Sequence, residues 1–305
     1  MATHKIALII PVFNGLEFTS KCLKNLKDIF DNIPVSKITF QIIIIDDGST
    51  DGSASWINTN YPDVIVLKGN GNLWWSGGIN VGTRYALEKL DIDYVLWWNN
   101  DIIAENNYFL NLLQIINEIE KNVIAGSKIY IDNDSSTIWS MGGIFNPRNG
   151  EKFMTAMGEP DSEKYNSVFD ADWLPGMGTL IHSDVFKVIG YLDEKNFPQY
   201  HGDSDYTYRA KLAGYQIKVF PQLKIWNDKT NSGLMHQNSF SKLIRSLNNT
   251  KSGYYLWKDI LFYQKYSSSP MAYQTLIAKY CLYIGGFFKW KILNLFGIKK
   301  KQLDR

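Results

Sequence analysis

Cysteine is nearly absent from this chain of 305 residues: Cys22 and Cys281 stand far apart and form no CxxC pair. That leaves no disulfide framework and fits a reducing compartment. Excess charge is missing too, because 32 Lys and Arg face 30 Asp and Glu for a net charge of +2. So balanced a chain gives no reason to expect nucleic acid as a partner. No hydrophobic run reaches the roughly 20 residues needed to cross a bilayer. The opening MATHKIALIIPVFNG enters strand-like sequence directly and lacks the layout of a signal peptide. Neither GxxxxGK nor GxGxxG occurs, which counts against nucleotide hydrolases and dinucleotide-binding domains. No internal repeat and no long linker is visible.

What is present is material for a large core, with 45% hydrophobic and 14% aromatic residues. KIALIIPVF and FQIIIIDD are short Ile- and Val-rich runs that end in polar or turn residues. Between them EFTSKCLKNLKDIF carries Phe18, Cys22, Leu23, Leu26 and Phe30 at helical spacing. Strand, helix, strand predicts a parallel sheet with right-handed crossovers. SASWINTNYP, VIVLKG, GGINVGTRYALEKL, DYVLWWNND, NYFLNLLQIINEIEK and VIAGSKIYI continue that alternation. After Asp132 the chain turns hairpin-like, then returns to strand and helix in WLPGMGTLIHSDVFKVIG and HGDSDYTYRAKLAGYQIKVFP, with Gly214 expected to cap a helix.

Polar residues gather where these strands should end, and in an open α/β sheet that is where ligands bind. IIIIDDGSTDGS spells the start of a calcium loop at Asp47, Ser49, Asp51 and Gly52. The Glu such a loop needs at its twelfth position is replaced by Asn58, so that reading fails. Asp51 reads as a turn or cap residue. Asp46 and Asp47 are adjacent carboxylates that need a positive or hydrogen-bonding partner. LWWNND ends the fourth strand in Asn99, Asn100 and Asp101, open both to a cation site and to a helix-capping turn. HGDSDY places Asp203 and Asp205 at a loop-to-helix junction, suited either to general-base work or to capping.

PVFN at Pro11–Asn14, DDGSTDGS some 35 residues later and the Asn-Asn-Asp triplet near residue 100 together resemble glycosyltransferase family 2, inverting enzymes of GT-A fold that use nucleotide-diphospho-sugars. NGNLWWSGGIN, DWLPGMGTLI and YHGDSDYTYRAKLAGY extend the resemblance to about residue 236, toward the rhamnosyltransferase-like branch of bacterial surface-polysaccharide synthesis.

The resemblance implies an α/β, GT-A-like fold with a mainly parallel central sheet and a mixed acceptor half. It implies a nucleotide-sugar half at 1–131 and an acceptor and catalytic half at 132–240; the helical sequence that follows the polar loop after Trp226 gives a C-terminal helical extension at 241–305. Pro11, Val12, Phe13 and Asn14 would line base and ribose, with Asp47 near the base and Asp46 orienting the loop. Asn72, Trp74, Gly77 and Gly78 would line diphosphate and sugar, and Asn80 would open an anion-favouring helix; Trp74 and Trp75 are equally readable as core residues. Asn99, Asn100 and Asp101 occupy the family's DxD position, where Asp101 would hold Mg²⁺ or Mn²⁺. Asp203 aligns with the family's base and Asp205 would support it, although the family's Glu is here Gly202. Trp173, Gly176, Met177 and His201 would face the acceptor. At the position of a further His ligand the chain has Asn227, with His236 a substitute.

The expected reaction moves a sugar from a dTDP- or UDP-sugar to a hydroxyl of a glycan or lipid-linked acceptor. Two alternatives remain open: a non-catalytic sugar-nucleotide or glycan-binding relative, and a sugar nucleotidylyltransferase. The latter should show a Gly-rich loop with Arg or Lys where this chain has PVFNG. The C-terminus carries Lys289, Lys291, Lys299, Lys300, Lys301 and Arg305 against Asp304, after the apolar LIAKYCLYIGGFF. That pattern reads either as a packed helix or as a peripheral contact with an anionic membrane, on the inner face of the cell membrane for a cytoplasmic protein.

Overall fold

The computed structural model describes residues 4–33, 38–131, 134–228 and 239–295. Of these, residues up to 144 together with 153–228 form one compact unit, and 145–152 with 239–295 form a second.

The first unit begins with β1 (His4–Val12), α1 (Leu16–Phe30), β2 (Ile38–Asp46), α2 (Ser53–Asn60), β3 (Ile65–Lys68), α3 (Trp74–Lys89) and β4 (Tyr94–Trp97). β5 (Ile102–Ala104), α4 (Tyr108–Glu118), β6 (Val123–Ile131) and β7 (Asp134–Ser140) follow. The hairpin of β8 (Gly143–Phe145) and β9 (Lys152–Met154) precedes β10 (Phe169–Asp170), β11 (Thr179–His182), α5 (Ser183–Ile189), α6 (Gly202–Leu212) and β12 (Gln216–Asn227). The sheet runs β10-β12-β6-β11-β4-β1-β2-β3, with β5 on β12 and β7 on β6. β1 is parallel to β2 and β4, β2 to β3, and β12 to β6, while β11 runs antiparallel between β4 and β6. The sheet is mixed and mostly parallel, its parallel part as the strand-helix alternation predicts and its mixed part as the resemblance implies.

Alternate side chains divide the strands between two cores. Ile6, Leu8 and Ile10 face one cluster, where Cys22, Leu23 and Leu26 of α1 and Phe109 and Leu112 of α4 lie. Ala7, Ile9, Ile43 and Ile45 face the other, with Ile79 and Ala86 of α3 and Tyr206 of α6. The paired tryptophans follow the same rule: Trp98 enters the first core, Trp97 the second, and both are fully buried. Gly214, at φ +95°, ends α6 in the left-handed conformation that glycine adopts without strain.

Chain order reverses at β1, which has β2 on one side and β4 on the other. The crevice outside the carboxyl ends at such a reversal is where ligands bind in open α/β sheets. The loops after β1, β2 and β4 therefore form the rim of the site.

The second unit contains α7 (Phe240–Leu247), α8 (Leu256–Tyr266) and α9 (Met271–Leu295). Buried Asp259 accepts hydrogen bonds from Lys279 Nζ and, at 2.7 Å, from Tyr280 Oη. The hairpin tip joins the unit through Tyr263 Oη and Thr275 Oγ1, which donate to the carbonyls of Gly150 and Asn149. Sequence order does not reveal that residues 145–152 group with helices more than a hundred residues on.

Candidate functional site

The first rim turn is held by its own carboxylates. Asp46 Oδ1 accepts Ser49 N at 2.8 Å. Asp47, also buried, accepts Gly71 N on Oδ1 and both Leu73 N and Trp74 N on Oδ2, at 2.8 to 3.1 Å. Asp47 thus ties the 69–74 loop to β2. Asp51 accepts Leu16 N, Ser53 N and Ser53 Oγ. Its slight desolvation is outweighed by these donors, which lower its pKa. Asn14, at φ +48°, takes Thr50 N on its side-chain oxygen and donates its own N–H to Ser49 Oγ. Pro11 and Val12 end β1, and Phe13 beside them is exposed.

α3 begins at Trp74 rather than near Asn80, because Asp47 fixes the entry to the helix. Trp74 holds φ +56°, strained for so large a residue, and its Nε1 donates to Asn72 Oδ1 at 2.9 Å. Asn80 is buried in the second turn, where it bonds Leu192 O, Leu192 N and Glu194 Oε2. An added Cβ would lie 3.3 Å from Leu73 Cβ at Gly77 and 3.0 Å from Pro11 Cβ at Gly78. Gly78 therefore lets α3 approach β1 closely.

The second rim turn follows β4 and differs in character. Asn99 Oδ1 accepts Trp75 Nε1 at 2.9 Å, and Asn100 Nδ2 donates to Thr19 Oγ1 at 2.9 Å. Cys22 Sγ lies 3.7 Å from the Asn99 carbonyl; burial pushes this thiol up to about 12, so it stays protonated. Asp101 Oδ1 is sealed from solvent and has no hydrogen-bond partner. Burial first, and then the charge of Asp228, raise the Asp101 carboxyl to about 6. Asp228 comes close because Asn227 pairs with Ile102 across β12 and β5, and Asp228 N donates to Asp101 O at 3.0 Å. A sealed carboxylate oxygen beside a second acid is a site a cation would stabilise. Two carboxylates are few for a protein-only metal cage but fit a hard cation that shares its coordination with phosphates and water. Among the described residues no group of three His, Cys, Asp or Glu gathers for a metal.

The two acids of α6 also diverge. Asp205 is fully buried and pairs with Arg209 Nε at 3.5 Å, while that guanidinium also donates to the carbonyls of Ile189 and Tyr191. Asp203 is only half-buried, accepting Ser204 N on Oδ1 at 2.7 Å and Gly176 N on Oδ2 at 3.0 Å. These two donors fix its orientation. His201 enters α6 at φ +68°, its Nδ1 3.3 Å from Ser204 Oγ.

One chain of contacts joins these groups. From Asn99 it passes through the indole of Trp75 to Gly176, where an added Cβ would fall 2.1 Å from that ring, and on to Asp203. Trp173 and Met177 are buried: Trp173 lies against Gly143, and Met177 joins the first core. His236 lies outside the described residues. Sequence reading considered Asn227 and passed over Asp228; the available signal was an acid just past a long strand, and only the β5 pairing shows what it meets.

A model of the family described as Glycosyl transferase family 2 matches residues 7–174. The chain is 26% identical over 181 residues to the low-salt glycan biosynthesis hexosyltransferase Agl10 of Haloferax volcanii, covering 58% of this chain and 55% of that one. It is 27% identical over 148 residues to the dTDP-rhamnosyl transferase RfbF of Shigella flexneri, covering 48% and 46%. The chain therefore spans about half the length of these curated relatives. Its fold resembles that of GalNAc-T7, solved with UDP, GalNAc and Mn²⁺, at a TM-score of 0.57 and 12% identity, over 74% of this chain and 44% of that one.

Proposed function

Since the chain belongs to glycosyl transferase family 2, we propose that it moves a sugar, with inversion, from a nucleotide-diphospho-sugar to a hydroxyl of a glycan or lipid-linked acceptor. The observation that carries this reading is the sealed, unpartnered oxygen of Asp101 beside Asp228 at the sheet's reversal point. The relatives' names favour dTDP- or UDP-sugars as donors.

In this reading Asp203 takes the proton of the acceptor hydroxyl. The oxygen so freed forms a bond to the anomeric carbon as the bond from that carbon to the diphosphate breaks, and the nucleoside diphosphate leaves with the electron pair. Asp101, with Asp228 near it, would hold Mg²⁺ or Mn²⁺, which when bound offsets charge on the leaving diphosphate. Asn99 offers a neutral oxygen whose direction Trp75 fixes. Pro11 to Asn14 would line the base and ribose, and Asn72 and Trp74 the diphosphate and sugar. Gly176, packed against the Trp75 ring, orients Asp203 through its N–H.

The test offers UDP-, dTDP- and GDP-sugars with Mn²⁺ and scores nucleotide release with and without chelator. Release from one donor class, lost in chelator, is expected. Tight nucleotide binding without turnover on any donor and acceptor would instead favour a non-catalytic sugar-nucleotide binder.

A further inference from the structure

In α9 the packed stripe stops halfway. Ala272, Leu276 and Tyr280 are its buried residues, spaced four apart, and among the described residues none beyond Tyr280 is buried. Yet residues 281–295, CLYIGGFFKWKILNL, are apolar almost all round. Leu282 is 76% exposed, Phe288 48%, Ile292 54% and Leu295 85%. A helix apolar on every side is normally covered. The face extends onto α7, where Phe240, 58% exposed, has its ring 6.5 Å from that of Phe288.

We propose that this face of α7 and the second half of α9 docks on the surface of an anionic lipid bilayer. Neither helix contains an Asp or Glu, whereas Lys242, Arg245, Lys289 and Lys291 lie among the apolar residues. Lysine stems run along apolar surface while the ammonium reaches outward, toward lipid phosphates. Trp290 is a residue of the type that settles at membrane interfaces. A second copy of the chain would bring the same cations face to face, so charge favours lipid over self-association. Fifteen helical residues extend about 22 Å, short of the roughly 30 Å hydrocarbon core. No helix among the described residues is long and apolar enough to cross a membrane. The helix therefore lies along the surface with its apolar side sunk among the headgroups.

Flotation of the full chain with phosphatidylcholine vesicles, with and without phosphatidylglycerol, tests this independently of any transfer activity. The chain should float with the anionic vesicles and release as NaCl rises. K289Q/K291Q, at two exposed lysines, should weaken partition about 30-fold, the product of about 1 kcal/mol per lysine. F288S/I292S should abolish flotation while the thermal melt stays unchanged; if its melt shifts, the lysine variant alone decides. Flotation indifferent to lipid charge, or unaltered in K289Q/K291Q, overturns the proposal. So does a wild-type chain that ignores vesicles but forms a dimer that F288S/I292S dissolves.

Discussion

The turn after β2 and the turn after β4 both carry carboxylates to the same rim, and the protein treats them oppositely. Asp46, Asp47 and Asp51 accept backbone N–H groups that would otherwise lack partners, so that turn is complete as protein. Asp101 keeps one oxygen sealed and unpartnered, with Asp228 raising its pKa further. Buried polar groups almost always find partners. A sealed carboxylate oxygen without one suits a partner from outside, and the two acids of α6 differ in their turn. Asp205 is fully buried beside Arg209, whereas Asp203 is oriented by two N–H groups and only half-buried.

That contrast within α6 carries the largest expected effect. Asp203→Asn keeps shape but removes the proton acceptor, so turnover should fall by about 10²–10⁴-fold with donor affinity little changed. Asp205→Asn should instead cost about 2 kcal/mol of stability, because the partly buried Arg209 charge is then left with the carbonyls of Ile189 and Tyr191. Paired measurements of turnover and urea unfolding check both. A stable Asp205→Asn protein without turnover, beside an active Asp203→Asn protein, would reverse the two roles.

The β2 turn should yield in stability. Asp47→Ala strands three backbone donors, of Gly71, Leu73 and Trp74, and should cost about 3–4 kcal/mol by urea unfolding. An Asp47→Ala protein as stable as wild type would mean that the 69–74 loop does not depend on it.

The β4 turn should respond in the other direction. The Asp101 carboxyl is raised from 3.8 to about 6, so the folded state binds this proton more tightly than the unfolded one. Its contribution to stability is therefore lost as pH rises from about 4 to 6, and a shift of about two units is worth roughly 3 kcal/mol. Without a cation, Asp101→Asn should stabilise the fold by up to that amount at pH 8 and by almost nothing at pH 4. The same variant should lose the extra stability that Mn²⁺ and nucleoside diphosphate together give the wild type. A variant destabilised at pH 8 would place Asp101 with the finished carboxylates.

The sheet was legible because Ile- and Val-rich runs alternating with helices have few ways to pack, and β6 matches VIAGSKIYI residue for residue. Site positions were legible as chemistry and less so as contacts. DDGSTDGS marks a turn rich in carboxylates but not that Asp47 spends both oxygens on a loop more than twenty residues on. Gly77 and Gly78 read as room for phosphate, yet Gly78 abuts Pro11. The approach of Asp228 to Asp101 depends on β5 turning back against β12, a pairing of three residues per strand that leaves almost no periodic signal.

The smallest expected effect asks which side of the comparison Asn99 belongs to. Its side-chain oxygen already accepts Trp75 Nε1, which would place it with the finished groups, but an amide oxygen has a second lone pair to offer. Trp75→Phe removes the donor together with the outer indole ring that lies against Gly176. The lost hydrogen bond and the space left behind should lower stability by about 1–2 kcal/mol. If Asn99 also serves the cation and diphosphate, the donor fixes which way its amide points, as outer groups do around metal sites. The Mn²⁺ concentration for half-maximal nucleotide release should then rise, by up to about 10-fold, with turnover at saturating Mn²⁺ nearly unchanged. A Trp75→Phe protein that loses stability but keeps its Mn²⁺ dependence would assign Asn99 to the scaffold and leave Asp101 as the open part of the turn.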